Sequence, residues 1–240
     1  MKNFIESAGR LKTGPFLIEI IEFNTDCFNE NTPSIHGIRL PECLKNAVTQ
    51  RKAEYTAGRI VAGRQLASCG ISAEIPMNRD RSPAWPPGFT GSITHDKNIT
   101  CAIASLKKES FYNLGIDLCI SATGEDMKNI AGLISTPEER KSFISCSLSE
   151  QDALRIIFSA KESLYKAVYP EVKRFIDFKE VTIAPASGDN EHGKVYPVAV
   201  ITEGNTAGII QKYQVYYRRF RFKEYTGFLT LASPGHLIYK

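Results

Sequence analysis

The sequence predicts an α/β (α+β) fold of two similar lobes, residues 1–112 and 113–240. Two observations point there. A strand, a long helix and further strands follow one another before residue 107 and again after residue 118, although no sequence repeat accompanies the repeated pattern. The length of 240 residues, with 42% hydrophobic and 23% charged residues, is enough to bury one large core or two small ones.

Residues 16–23 read as an apolar strand, and a helix over about 48–69 is stopped by Gly70. Residues 78–91 carry too much proline and glycine for regular structure. Gly91–His95 and Thr100–Ser105 read as strands joined at Asp96-Lys97-Asn98, and Phe111–Ile120 as another strand. Thr136-Pro137-Glu138-Glu139 opens a helix with a cap, a proline in the first turn and acids where the helix dipole favours them. Ser149 with Asp152 opens a longer one, whose apolar stripe (Leu154, Ile157, Phe158, Leu164, Tyr165, Val168) is expected to end before Pro170. Strands then dominate, at 181–183, 196–201, 213–222 and 227–232.

A net charge of +4 favours anionic partners but is too small to imply nucleic acid. Six scattered cysteines without a CxxC pair suit reduced thiols in the cytoplasm better than disulfides or zinc. The first residues lack a signal peptide's apolar run, and no segment is apolar enough to span a bilayer, so a cytoplasmic location is expected.

The chemistry-bearing text is Phe158-Ser159-Ala160-Lys161-Glu162-Ser163-Leu164-Tyr165-Lys166, read with Leu114-Gly115-Ile116-Asp117. Glu162 and Lys166 share a helix face, and Asp117 ends a strand. Two carboxylates from separate elements, with lysines, make a site for a hard divalent cation and a phosphate-rich ligand. Each residue alone has a blander reading, as a capping acid, a surface ion pair or a solvated lysine. Arg51, Arg59 and Arg64 lie on one helix, where Lys52 and Arg59 nearly share a face, and His95 follows a strand of small residues.

Together with Arg81-Ser82-Pro83-Ala84-Trp85-Pro86 and Ala57-Gly58-Arg59, these motifs in their order resemble the 4′-phosphopantetheinyl transferases of the surfactin-type superfamily, on the enterobactin-synthase component D branch. The resemblance runs from about residue 48 to 170. It implies a pseudo-twofold pair of lobes with coenzyme A in a cleft between them. It also implies transfer of the 4′-phosphopantetheine arm to a serine of an apo carrier protein of a nonribosomal peptide, polyketide or fatty acid synthase. Adenosine 3′,5′-bisphosphate is released, Mg²⁺ is the cofactor, and siderophore or antibiotic assembly is the expected setting. Residue by residue it implies that Asp117 and Glu162 bind the metal, that Lys161 and Lys166 lie near the pyrophosphate, and that His95 with Thr94 meets the 3′-phosphate. Arg51 and Arg59 would help hold coenzyme A, with the loop of Arg81 near the adenine. Asp117, Glu162 and Lys166 are the expected catalytic set, Glu162 also serving as base, and two lobes in one chain make a monomer sufficient.

One departure stands out. Relatives often carry an acid where this chain has Cys119, a soft thiol that Mg²⁺ would not choose, so water is expected there. Two other readings stay open: a coenzyme A binder that has lost transfer, and a nucleic-acid binder using the basic and aromatic text Tyr216–Lys223, which alternates equally like a strand with one wet face.

Overall fold

A computed structural model describes residues 3–13, 15–107, 113–188, 192–199 and 206–235. Contacts divide the chain into two compact units, Met1–Phe111 and Tyr112–Lys240.

The first unit is a four-stranded antiparallel sheet backed by a long helix. Strands β1 (Ile5–Thr13), β2 (Phe16–Phe23), β3 (Phe89–Asp96) and β4 (Ile99–Leu106) lie in the order β1-β2-β4-β3. A short helix α1 (Thr32–Ile35) precedes the long α2 (Thr49–Ser68). Ala53, Ala57, Val61 and Leu66 of α2 are fully buried and pack on Ile21, Phe23, Ala102 and Ala104 of the sheet. Small residues let the helix sit close, to the point that a β-carbon at Gly58 would lie 3.3 Å from Ile93. The helix stops where Gly70 adopts a φ of +78°, as expected. Strand β1, absent from the sequence reading, is an edge strand whose residues alternate between half-buried and exposed.

In the second unit, β5 (Gly115–Cys119), β6 (Val181–Gly188), β7 (His192–Ala199), β8 (Tyr213–Phe222) and β9 (Tyr225–Pro234) form an antiparallel sheet in the order β5-β9-β8-β7-β6. Helices α3 (Gly124–Ile134), α4 (Pro137–Ile144), α5 (Glu150–Val172) and α6 (Thr206–Ile210) accompany it. The two sheets are antiparallel among the described strands, which is the α+β form of the expected class. Ser149 caps α5 by accepting from the Asp152 amide, and Thr136 and Glu139 form a capping box at α4. The apolar stripe of α5, including Ile156, Ile157, Leu164 and Val168, packs on Val195, Tyr213, Val215 and Phe228. Each such side chain contributes about 1.5–3 kcal/mol by leaving water.

Several boundaries differ from the sequence reading, among them the end of β6, which runs to Gly188 rather than 183. Helix α5 passes through Pro170 to Val172, because the proline sits in the last turn, the Lys173 amide still bonds the Tyr169 carbonyl at 2.8 Å, and Val172 packs on the core. Strand β5 spans Gly115–Cys119 only; residues 111–112 of the expected strand lie outside the described residues. Strand β7 starts earlier than expected, at His192, and residues 200–201 lie outside the described ones. The basic and aromatic text is β8, an interior strand whose Tyr213, Val215 and Tyr217 face the core and whose Arg219 pairs with Asp152 at 2.8 Å.

Candidate active site

In the second unit, α5 is pressed against β5. The contact depends on Gly115, where any β-carbon would collide with the Ser163 carbonyl. Farther along, the Thr230 hydroxyl donates to the Ser159 carbonyl at 2.7 Å and meets the Ser159 hydroxyl at 2.9 Å, fixing the helix against β9. This close approach brings together three residues that the sequence singled out. Lys166 Nζ donates to Asp117 Oδ1 at 2.7 Å and to the Ile116 carbonyl at 3.1 Å. Glu162 lies one turn before Lys166 on the same face. Burial pushes the Glu162 carboxyl above the usual glutamate range; the Lys166 ammonium pulls it back, and the Asp117 carboxylate pushes it up again.

Two carboxylates that repel one another beside an ammonium form a hard, all-oxygen donor set, which fits Mg²⁺ better than a softer metal. Among the described residues no group of three His, Cys, Asp or Glu side chains could hold a metal. Cys119, two residues beyond Asp117 and on the same side of β5, is 2% exposed and adds no oxygen donor.

Lys161 does not join this cluster. Its ammonium donates to the carbonyls of Ile134 at 2.8 Å and Phe178 at 2.9 Å and to Glu139 at 3.0 Å. Five residues separate it from Lys166, which sets the two about 140° apart around the helix. Burial pulls its pKa down, and the Glu139 carboxylate works against that fall. The expected pyrophosphate lysine is thus committed to an internal ion pair.

The sequence reading missed a cavity of about 80 Å³ beside Glu162, whose lining includes Lys161, Tyr165, Val168, Phe175, Ile176 and Phe178. Phe175 and Ile176 lie beyond the helix, in a stretch without periodicity, whereas Lys161, Glu162, Leu164 and Tyr165 of the lining belonged to the quoted motif.

In the first unit a basic cluster rises from α2. Arg51 Nη1 lies 3.3 Å from Glu54 Oε2 and 3.5 Å from His95 Nε2, and His95 is 3.8 Å from Glu54. Glu54 also went unsuspected; its signal is the three-residue spacing from Arg51. Arg59 stacks on the Tyr55 ring at 4.4 Å and is 8% exposed, with its Nε buried and unpaired within the protein. Burial lowers its pKa first, Tyr55 opposes that, and the Arg51 charge lowers it further. Two cations that repel, one with an unused buried donor, suit an anion. Lys52, expected near this face, is buried and paired with Glu30 at 2.9 Å. Thr94 is buried in β3, next to His95.

Arg81 is exposed at the tip of a tight loop, at a left-handed φ of 68°. The loop is tied by Asp80 Oδ1, which accepts from the Ser82 amide at 3.1 Å, and by Asn78 Nδ2, which donates to the Ser82 hydroxyl at 3.0 Å. Trp85 packs under Gly91, where a β-carbon would strike its indole ring and the Ile103 carbonyl.

Comparison with known proteins gives this arrangement its class. Residues 40–105 match the 4′-phosphopantetheinyl transferase N-terminal domain, and residues 113–224 match the 4′-phosphopantetheinyl transferase superfamily. The chain belongs to that superfamily, on the enterobactin synthase component D branch. It is 33% identical over 150 residues to enterobactin synthase component D of Salmonella typhi, covering 62% of this chain and 61% of that one. It is 34% identical over 124 residues to the Escherichia coli K12 protein of the same name, covering 52% and 58%. With the 4′-phosphopantetheinyl transferase Svp of Streptomyces mobaraensis it shares 30% over 144 residues, covering 59% and 57%. The chain therefore spans less than two thirds of the length of these relatives. No helix among the described residues is long and apolar enough to cross a membrane.

Proposed function

We propose that the chain transfers the 4′-phosphopantetheine arm of coenzyme A to a serine of an apo carrier protein, acting as a monomer in the cytoplasm. The observation that carries the reading is the pairing of Asp117 with Lys166 beside Glu162, on a strand and helix whose close approach requires glycine at position 115. Membership of the family supports it.

Asp117 and Glu162 would hold Mg²⁺, whose charge neutralises a pyrophosphate. Lys166, already oriented by Asp117 and the Ile116 carbonyl, offsets charge on the same group. The serine oxygen attacks the phosphorus that bears the pantetheine arm, and a new P–O bond forms. The bond from that phosphorus to the bridging oxygen breaks, and adenosine 3′,5′-bisphosphate leaves with its electron pair. The serine proton passes to Glu162, the carboxylate beside the reacting group. The cavity beside Glu162 takes the apolar part of the arm. In the first unit, Arg51, Arg59 and His95 with Thr94 serve the 3′-phosphate, and the loop of Arg81 serves the adenine. Siderophore or antibiotic nonribosomal peptide assembly is the setting we infer, because relatives carry the name enterobactin synthase component D.

Intact mass spectrometry of an apo peptidyl carrier protein, incubated with the chain, coenzyme A and Mg²⁺, tests this. The carrier gains one phosphopantetheine arm, and the gain disappears with a chelator. No gain across several carriers overturns the reading. If coenzyme A still binds, the chain is a binder, and Cys119→Glu then tests whether the thiol is the cause.

A further inference from the structure

A buried ion pair does work that neither the ligand set nor the core accounts for. The side chains of Lys161 and Glu139 are 5% and 0% exposed. Both Glu139 oxygens lie 3.0 Å from Lys161 Nζ. Glu139 Oε1 also accepts from the Ile183 amide at 2.7 Å, and Oε2 from the Thr136 amide at 3.3 Å. The two remaining ammonium protons go to the Ile134 and Phe178 carbonyls. One pair thus ties the end of α3, the start of α4, the middle of α5, the turn at Phe178–Glu180 and β6.

Three of these anchored elements, α5 through Lys161, the turn through Phe178 and β6 through Val181, line the cavity beside Glu162. The segment between α5 and β6 supplies Phe175, Ile176, Asp177 and Phe178 to its wall. That segment has little regular structure, and Phe178 is held by its carbonyl on Lys161 and by its ring stacked on Phe158 at 5.7 Å. A buried ion pair adds little net stability compared with apolar residues of the same volume, because desolvation offsets the attraction. What it does supply is direction: fixed donors and acceptors that select one position for the backbone they bind.

We propose that Lys161 and Glu139 are positioning residues that set the wall of this cavity, and so the seat of the pantetheine arm: Lys161 lines the cavity, but its ammonium is spent on Glu139 and two backbone carbonyls rather than on the ligand. The proposal rests on the coenzyme A reading above. It replaces the direct pyrophosphate contact that family resemblance implied for Lys161.

The test measures binding of two ligands by calorimetry, coenzyme A and the armless adenosine 3′,5′-bisphosphate, alongside thermal melts. The variants are Lys161→Met, Glu139→Gln and the charge-free double variant Glu139→Leu/Lys161→Met. The double variant leaves no charge unpaired but strands four backbone groups, so it stays folded with a lowered melt. It binds coenzyme A about tenfold more weakly or worse, as loss of a supporting shell does, while adenosine 3′,5′-bisphosphate binds unchanged. Glu139→Gln weakens coenzyme A in the same direction. Equal weakening of both ligands, or of neither, overturns the proposal. So does a Glu139→Gln variant that binds normally beside a Lys161→Met variant that does not, since Lys161 then contacts the ligand itself. If the unaltered chain binds neither ligand, the coenzyme A reading has failed and the proposal falls with it.

Discussion

Lys166 Nζ stands 2.7 Å from Asp117 Oδ1 while also bonding the Ile116 carbonyl, so one ammonium joins helix and strand at the point where the carboxylates meet. Asp117 is 7% exposed, and a carboxylate so buried needs that partner. Asp117→Asn is expected to keep the fold and to lower transfer by about two orders of magnitude or more, the scale of losing one preorganised electrostatic group. Lys166→Met is expected to lower transfer similarly and to cost about 1–3 kcal/mol of stability by removing the ammonium that Asp117 and the Ile116 carbonyl bond. Rates from the carrier mass shift, with urea melts, check both.

Glu162 presents the opposite balance. Its folded pKa is raised, so the uncharged carboxyl is the form folding favours, and stability is lost as pH rises through that pKa. Glu162→Gln is therefore expected to raise the melting temperature at neutral pH in a chelator while abolishing transfer. A drop in melting temperature at pH 7.5 would remove the repulsive geometry from the account.

The cluster of Arg51 and His95 offers a test by substrate choice. If it holds the 3′-phosphate, Arg51→Ala and His95→Ala each reduce the preference for coenzyme A over 3′-dephospho-coenzyme A, by about tenfold for one charge-assisted bond. Comparing kcat/KM for the two substrates measures this, and an unchanged ratio moves the phosphate elsewhere.

Arg174 and Glu180 give a prediction independent of catalysis. Arg174 grips Glu180 through bonds of 3.0 and 2.7 Å and, as the largest cause, holds its carboxyl below the ordinary range. The bond's contribution is full above the unfolded glutamate pKa, about 4.3, and fades as pH falls through the lower folded value. Arg174→Met should flatten stability against pH on the acid side, by no more than about 1 kcal/mol for so exposed a pair. Urea melts from pH 6 to pH 3 report it.

Periodicity explains which parts were readable. Strand β2 and helix α2 carried strong patterns and lie where the sequence put them. Strand β1 escaped because Ser7, Gly9, Arg10 and Lys12 have weak strand preference and sit at an edge. Helix α3 escaped because two of its residues, Gly124 and Gly132, disfavour helix. At the candidate site, motif text singled out Asp117, Glu162 and Lys166, which the fold brings together, and Lys161, which it ties to Glu139 instead. Lys161 falls on the stripe Ile157, Lys161, Leu164, Val168, and a lysine on a buried stripe must carry its partner with it. Glu139 lay 22 residues away, and only folding joined them.

The crowding at Gly115 bears on how the chain can be altered by design. A randomised library aimed at new acceptor proteins should leave position 115 untouched, since even alanine would force α5 off β5 and scatter the residues above it. Gly63 and Gly132, which sit in helices with open space around them, are the places to begin. Alanine at each should add up to about 1 kcal/mol, a reserve that later, destabilising changes of specificity can draw down.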